Sequence, residues 1–367
     1  MDDLVAIRRA LHEHPGISGA ERFAHDMVVR ELESLKPTRL HDHVGGYGVM
    51  AYWQSPVAGA KTLAFRADID ALPIGHRCGH DGHTAIMLCF ARAVANAVTA
   101  LRHNVLLVFQ PEEETGRGAQ KMLDSGLMQQ YGVQAVFGLH NLPGYPKGMV
   151  VLNRHTFAAA STGVVYTLTG RATHASTPER GINPGLAMGD IVRRFSLLNS
   201  GAKSLEAFRQ STLIGCRAGE EAFGTSAGEG SLMFTLRSFT NRAMERLLAD
   251  ADAIVDDVAR LEGLRVRREL REPFRATENT PALVGQLERL FDAEGVTTCR
   301  TEQPFRWSED FADYLVHFPG AFFGFGSGEG QPELHHPDYD FPDDIIPDAA
   351  HCFELILNNV NLNYELN

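Results

Sequence analysis

Apolar positions recur along this chain with two different periods, and the switches between them mark out its parts. From Asp3 to His14 they fall at helical spacing, and Pro15-Gly16 stops the run. Ser18-Gly19-Ala20-Glu21 has the spacing of a capping box and predicts a second helix ending at Lys36-Pro37. Short β-like runs follow at 47–53, 62–67, 104–110 and 134–139, the later ones separated by helical patterns over 84–98 and 117–127. Near-continuous apolar strands alternating with helices predict an α/β sheet covered on both faces.

After "AAASTGVVYTLTG" the rhythm changes. Strand 163–169, helix 182–198, strands 211–217 and 229–239, helix 241–262 and strand 264–270 follow one another. This β-α-β-β-α-β order is that of a small split βαβ, ferredoxin-like domain. The α/β texture then resumes with helix 281–294, strand 321–326 and a terminal helix over 348–360. The expected organisation is a discontinuous catalytic domain over 1–160 and 271–367, its sheet mixed and mostly parallel, with a second domain inserted over 161–270. No internal repeat or low-complexity segment interrupts it.

A length of 367 residues is beyond the usual single core, which agrees with two domains. The formal charge of -12 argues against nucleic acid or an anionic membrane as partner. The acidic, then amphipathic start "MDDLVAIRRALHEHPG" does not read as a signal peptide. No window approaches the roughly 18 apolar residues of a membrane span. Five scattered cysteines (78, 89, 216, 299, 352) suggest no disulfide framework. A reducing cytoplasm is expected, with Cys78 free to bind metal. The other four, in apolar contexts, are expected to be buried.

The chemistry gathers in "RCGHDGHTA" (77–85), one thiol, two imidazoles and a carboxylate ahead of a helical pattern. Cys-x-His spacing lets Cys78 and His80 lean toward one point, as zinc-like ions require. A polar helix cap, or a cysteine nucleophile activated by histidine, would use the same residues. The other loops decide between them. In an open α/β sheet, ligands bind beyond the carboxyl ends of the strands. There the pattern delivers Asp68-Ile69-Asp70, Glu112-Glu113-Glu114, His140-Asn141 and His335-His336. Five loops converging on one rim favour metal. An adjacent carboxylate pair suits two-metal hydrolysis, one member binding a cation while the other takes the proton of the attacking water. His12 and His14, two apart on a helix, make a poor metal pair. Phe305 and Trp307 could line a pocket or simply pack, and Glu309 and Asp310 could support the site.

Several motifs together resemble the amidohydrolase branch of the M-20 metallopeptidases, which includes hippurate hydrolases, aminoacylases and indole-acetyl-amino-acid hydrolases. They are "RRALHEHPG" (8–16), "RADIDALPI" (66–74), "CGHDGHTA" (78–85), "VFQPEEETGRGAQKML" (108–123), "GLHNLP" (138–143), "GRATHASTP" (170–178), "SEDFA" (308–312) and "LHHPDYDF" (334–341). The resemblance implies two divalent ions, Zn or Mn expected and Co or Ni admitted, held by Cys78, His80, Glu114, His140 and His335. It makes Glu113 the general base and later the acid, and places Asp68 behind the ligands, orienting one of them or tuning the water. In relatives the counterpart of His174 reaches the other subunit's active site to bind substrate or the oxyanion. Arg237 would hold a substrate carboxylate or make a surface ion pair. The inserted domain would act as lid and dimerisation element of a homodimer or larger homo-oligomer.

The expected reaction is hydrolysis of the amide of an N-acyl amino acid. Rival readings are a dipeptidase or aminobenzoyl-glutamate-type hydrolase on the same scaffold, a cysteine amidase using Cys78, and a catalytically inactive dimeric binding protein. Two departures from the pattern bear on substrate choice. Only Gly75-His76-Arg77 separate the "DALPI" and "CGHDGH" motifs, and Gly224 lies where relatives often carry asparagine.

Overall fold

Residues 2–362 are described by a computed structural model. They form two compact units: one runs through Phe157 and returns over Thr277–Glu302 and from Asp310 onward, and the other comprises Ala158–Ala276 with Gln303–Glu309.

The first unit opens with helices α1 (Asp2–Glu13) and α2 (Arg22–Leu35) and the hairpin β1 (Arg39–Val44) and β2 (Gly48–Trp53). Next come β3 (Thr62–Asp68), α3 (His80–Asn96), β4 (Asn104–Gln110), α4 (Gly118–Asp124), the short α5 (Leu127–Gln130), β5 (Val133–Pro143) and β6 (Val150–Leu152). The second unit holds β7 (Ala160–Thr169), α6 (Gly185–Ser196), β8 (Arg209–Ala218), β9 (Glu229–Ser238), α7 (Asn241–Glu262) and β10 (Arg265–Phe274). The chain then completes the first unit with α8 (Pro281–Ala293), β11 (Thr298–Arg300), α9 (Ala312–His317), β12 (Gly320–Gly328) and α10 (Ile346–Asn359).

The large sheet has the order β1-β2-β4-β3-β5-β12-β6-β11. Its central strands β4, β3, β5 and β12 run parallel, so their carboxyl ends share one edge. They are buried nearly throughout because helices cover both faces. The small sheet, β10-β7-β9-β8, is wholly antiparallel. Along β7 burial alternates, as one face packs on α6 and α7 while the other does not. This is the mixed α/β fold with a second, small sheet that the pattern predicts. No helix among the described residues is long and apolar enough to cross a membrane.

Several local expectations fail for identifiable reasons. Strands β1, β6 and β11 and helix α9 are too short or too polar to register as periodic runs. Helix α3 begins at His80, four residues ahead of its expected start, because its first turn is polar. The Ser18–Glu21 capping box does not form: the Ser18 hydroxyl donates to Asp70 at 2.7 Å and Glu21 binds the backbone N–H of Gly19 and Glu112. Of the four cysteines expected to be buried only Cys352 is: Cys216, on the outer strand β8, is exposed, and Cys89 and Cys299 are half-buried.

Arg66, on β3, is buried at the heart of the large sheet. It donates to Gln110 at 2.8 Å, to Asp68 at 2.6 Å and to Asp310 at 2.8 Å. Its removal would strand two buried carboxylates. Arg66→Met should therefore lower the unfolding free energy by about 3–5 kcal/mol, read from urea denaturation.

Candidate metal centre

The sharing of one edge by β3, β4, β5 and β12 concentrates the reactive groups. Asp68 ends β3, Glu113 and Glu114 follow β4, His140 lies within β5, and His335 follows β12. Two glycines let the "CGHDGH" segment enter this edge. Gly79, at φ +96°, begins the helix in a left-handed turn, and a Cβ there would meet the Asn141 amide at 2.7 Å. A Cβ at Gly82 would meet the Phe341 ring at 2.2 Å.

Cys78, His80 and His140 each bring one potential ligand atom within 4.8 Å of the others; so do Cys78, Glu114 and His335, and His80, Glu113 and Glu114. Cys78 Sγ is 3.5 Å from His140 Nε2. His80 Nε2 lies 3.9 Å from Glu113 and 3.8 Å from Glu114, and His335 Nε2 lies 3.9 Å from Glu114. The five residues named as ligands, with Glu113, thus form one linked cluster.

Hydrogen bonds aim the rings. His140 Nδ1 is 2.8 Å from the Asn141 carbonyl, and His80 Nδ1 is 3.1 Å from the Asp70 carbonyl. A carbonyl only accepts, so each Nδ1 carries a proton and Nε2 points into the cluster. His80 Nε2 and Glu114 Oε1 are buried with no hydrogen-bond partner, a costly state unless something else meets them.

Electrostatics show which protons a bound cation would have to displace. Burial and the nearby His83 hold His140 well below its usual pKa, leaving it neutral. Burial opposes charge on His80, yet Asp68 beside it raises its pKa well above the ordinary value. Burial lifts Glu114 to about 7 and raises the Cys78 thiol. The cluster by itself therefore favours protons on His80, Cys78 and Glu114, which a divalent ion would replace. A thiolate, neutral imidazoles and carboxylates are the donor set for a borderline divalent ion, and these residues fit one.

Asp68 lies behind this layer, 2.6 Å from His83 Nδ1 as well as from Arg66. His83 also reaches Asn141 at 2.5 Å, so it braces the centre from behind. Two supporting contacts are not legible in the sequence. Asp70 meets His80 Nδ1 and accepts the Glu114 N–H at 3.1 Å. Glu21 accepts the Glu112 N–H at 3.0 Å, where Glu112 itself adopts φ 56°. The sequence delivers Asp70 to this rim within "DID", two residues beyond the end of β3. His12 bonds Asp81 and His14 bonds the Ala10 carbonyl, so they are no metal pair.

In the second unit, His174 is exposed, and its Nδ1 accepts the Ser176 N–H at 3.1 Å. Arg237 donates to the Arg306 carbonyl at 2.6 Å and to Ser308 at 3.2 Å. Phe305 and Trp307 stack on each other, 5.2 Å between centroids. Asp310 serves Arg66, Gln110 and the Ala119 N–H.

A discontinuous α/β unit whose strand ends converge on such a donor set defines a metal-dependent hydrolase. The model of peptidase family M20/M25/M40 matches residues 64–359, and the chain belongs to that family. It is 28% identical over 373 residues to a hydrolase of Staphylococcus haemolyticus (strain JCSC1435), covering 95% of this chain and 96% of that one. A Staphylococcus aureus (strain USA300) hydrolase is 29% identical over 375 residues, with 96% of each chain covered. Both relatives are uncharacterized. Among solved structures, a Bacillus subtilis dinuclear metal-binding peptidase of the M20 family superposes with a TM-score of 0.84 at 25% identity, covering 97% of both chains. The aminobenzoyl-glutamate utilization protein of Klebsiella pneumoniae shares the fold, with a TM-score of 0.73 at 20% identity over 97% of this chain and 95% of that one.

The short loop before Cys78 carries an acid-sensitive group. His76 is 2% exposed with both ring nitrogens unpartnered, and burial depresses its pKa to about 4. A depressed histidine contributes stability above its unfolded value, which is lost as pH falls through about 6.5 toward 4. Between pH 7 and pH 5 the wild type should lose about 2 kcal/mol that His76→Leu does not, measured by urea midpoints at each pH.

Proposed function

We propose that this hydrolase cleaves the amide of an N-acyl amino acid, with Cys78, His80, Glu114, His140 and His335 holding two divalent ions, Zn or Mn first among them. The observation that carries the metal assignment is the unpartnered pair His80 Nε2 and Glu114 Oε1, buried 3.8 Å apart beside Cys78. Bound ions supply Lewis acidity to the scissile carbonyl and lower the pKa of the attacking water toward about 7.

The chain's own groups do the rest. Glu113 takes the proton of the water as it attacks and returns it to the leaving nitrogen. Asp68, braced by Arg66 and His83, keeps the neighbouring imidazoles in place. Because Nδ1 of His174 accepts a hydrogen bond, the proton of its neutral ring sits on Nε2, the tautomer required of an oxyanion donor. Arg237 has no carboxylate among its hydrogen-bond partners in the described residues; this favours a substrate carboxylate over the surface ion pair.

The second unit, over the inserted 161–270 segment, takes the dimerisation role. Supporting this, its outer strand β8 leaves Leu213 and Ile214 exposed, with Leu186 and Leu197 exposed on and beside α6. Ile214, 61% exposed, should tolerate arginine within one subunit. Ile214→Arg should therefore halve the mass seen by light scattering without lowering the melting temperature. A cytoplasmic location completes the reading.

Glu113→Gln should retain the full metal content by atomic emission while kcat falls about a thousandfold, whereas Cys78→Ala should lose metal. Retained turnover in Glu113→Gln would sink the base assignment. Initial rates on N-acetyl and N-benzoyl amino acids, on aminobenzoyl-glutamate and on free-amino dipeptides separate the N-acyl reading from the dipeptidase and aminobenzoyl-glutamate readings.

A further inference from the structure

A second cluster lies in the first unit, on elements that the centre does not use. His25 on α2, with Asp42 and His43 near the end of β1, each place one potential ligand atom within 4.8 Å of the others. In a regular strand, Asp42 and His43 would face opposite sides of the sheet. Here His41 pairs with Met50 and Val44 with Gly48, so β1 carries one residue more than β2 across this interval. The extra residue makes a bulge, and a bulge can re-aim side chains toward a common point.

The bulge comes with strain. His43 has φ 51°, a left-handed conformation that glycine adopts freely and a histidine adopts only at a cost. An imidazole thus stands where the backbone alone would favour glycine. Strain of this kind gathers at sites where a side chain is used.

Both rings are also held by the backbone. His25 Nδ1 is 3.0 Å from the Tyr47 carbonyl and His43 Nδ1 is 3.3 Å from the Gly46 carbonyl. Each carbonyl accepts, so each Nδ1 is the donor and Nε2 of the neutral ring keeps its lone pair. This backbone-braced pattern is the one that orients metal-binding histidines. The rings stack at 4.2 Å with 25° between planes, so a shared ion requires the exposed His43 ring to tilt out of the stack. His25 is buried while His43 and Asp42 are exposed, so one fixed donor lies beneath two adjustable ones.

We propose that His25, Asp42 and His43 form a surface site for a borderline divalent cation such as Zn2+ or Ni2+, with water completing its coordination. The site shares no residue with the Cys78 centre. It therefore stands or falls separately from the hydrolase mechanism.

Equilibrium dialysis against buffered Ni2+, with bound metal counted by atomic emission, tests this on the full chain. Wild type should bind one equivalent more than His43→Gly or Asp42→Asn, whose affinity at this site should be at least tenfold weaker. Cys78→Ala should keep the extra equivalent while losing metal at the other centre. Glycine suits the backbone at position 43, so His43→Gly should fold with an unchanged or higher melting temperature and unchanged hydrolysis. Equal uptake by wild type and His43→Gly overturns the proposal. So does disappearance of the extra equivalent in Cys78→Ala.

Discussion

The buried guanidinium of Arg66 is the constraint on which the acidic side of this molecule depends. Asp68, Asp70 and Asp310 are all buried within the same unit, and Glu113 and Glu114 are close by. Carboxylates so placed repel one another and lose their hydration, and isolated ones would take up protons instead. Arg66 meets two of them directly, and Gln110 is shared between Arg66 and Asp310. Burial works against ionisation of Asp68, yet His80, His83 and Arg66 hold its pKa well below the usual carboxylate value. A permanently charged aspartate behind the histidines then makes the pocket in front of it receptive to cations.

This arrangement explains why the region was legible in the sequence. Parallel strands covered on both faces must be apolar throughout, so the polar residues that follow them stand out as the strand ends. The "RADID", "QPEEE" and "CGHDGH" segments are visible for that reason, and their meeting follows from strand direction alone. What the pattern hid were partners set by distance in space. Nothing in the spacing of Ser18 and Glu21 says that one reaches Asp70 and the other the Glu112 N–H. The local capping reading was reasonable chemistry, but a buried aspartate and a backbone amide offered the same atoms better partners. Asp310 was likewise visible only as an acidic residue near an aromatic segment. Its tie to Arg66 spans 244 positions in sequence.

Short elements were lost for a related reason. β6 and β11 have three residues each, below the length at which a period of two can be read. β1, "RLHDHV", is mostly polar, and a bulge interrupts its alternation. The polar first turn of α3 lacks a helical apolar period because its inward-facing residues are histidines and aspartate instead of hydrocarbon. In each case the departure from periodicity marks an edge or a place where side chains are reserved for polar work.

The order of parts along the chain also affects how the protein is made. The second unit is nearly continuous in sequence, whereas the first needs β12 to pair with β5 and α10 to pack beside α3. During synthesis the small sheet can close while the larger one still lacks a strand. His335 follows the second unit in chain order, so the nascent chain carries Cys78, His80 and Glu114 before His335 joins them. The cluster can therefore be complete only after the intervening second unit has been synthesised.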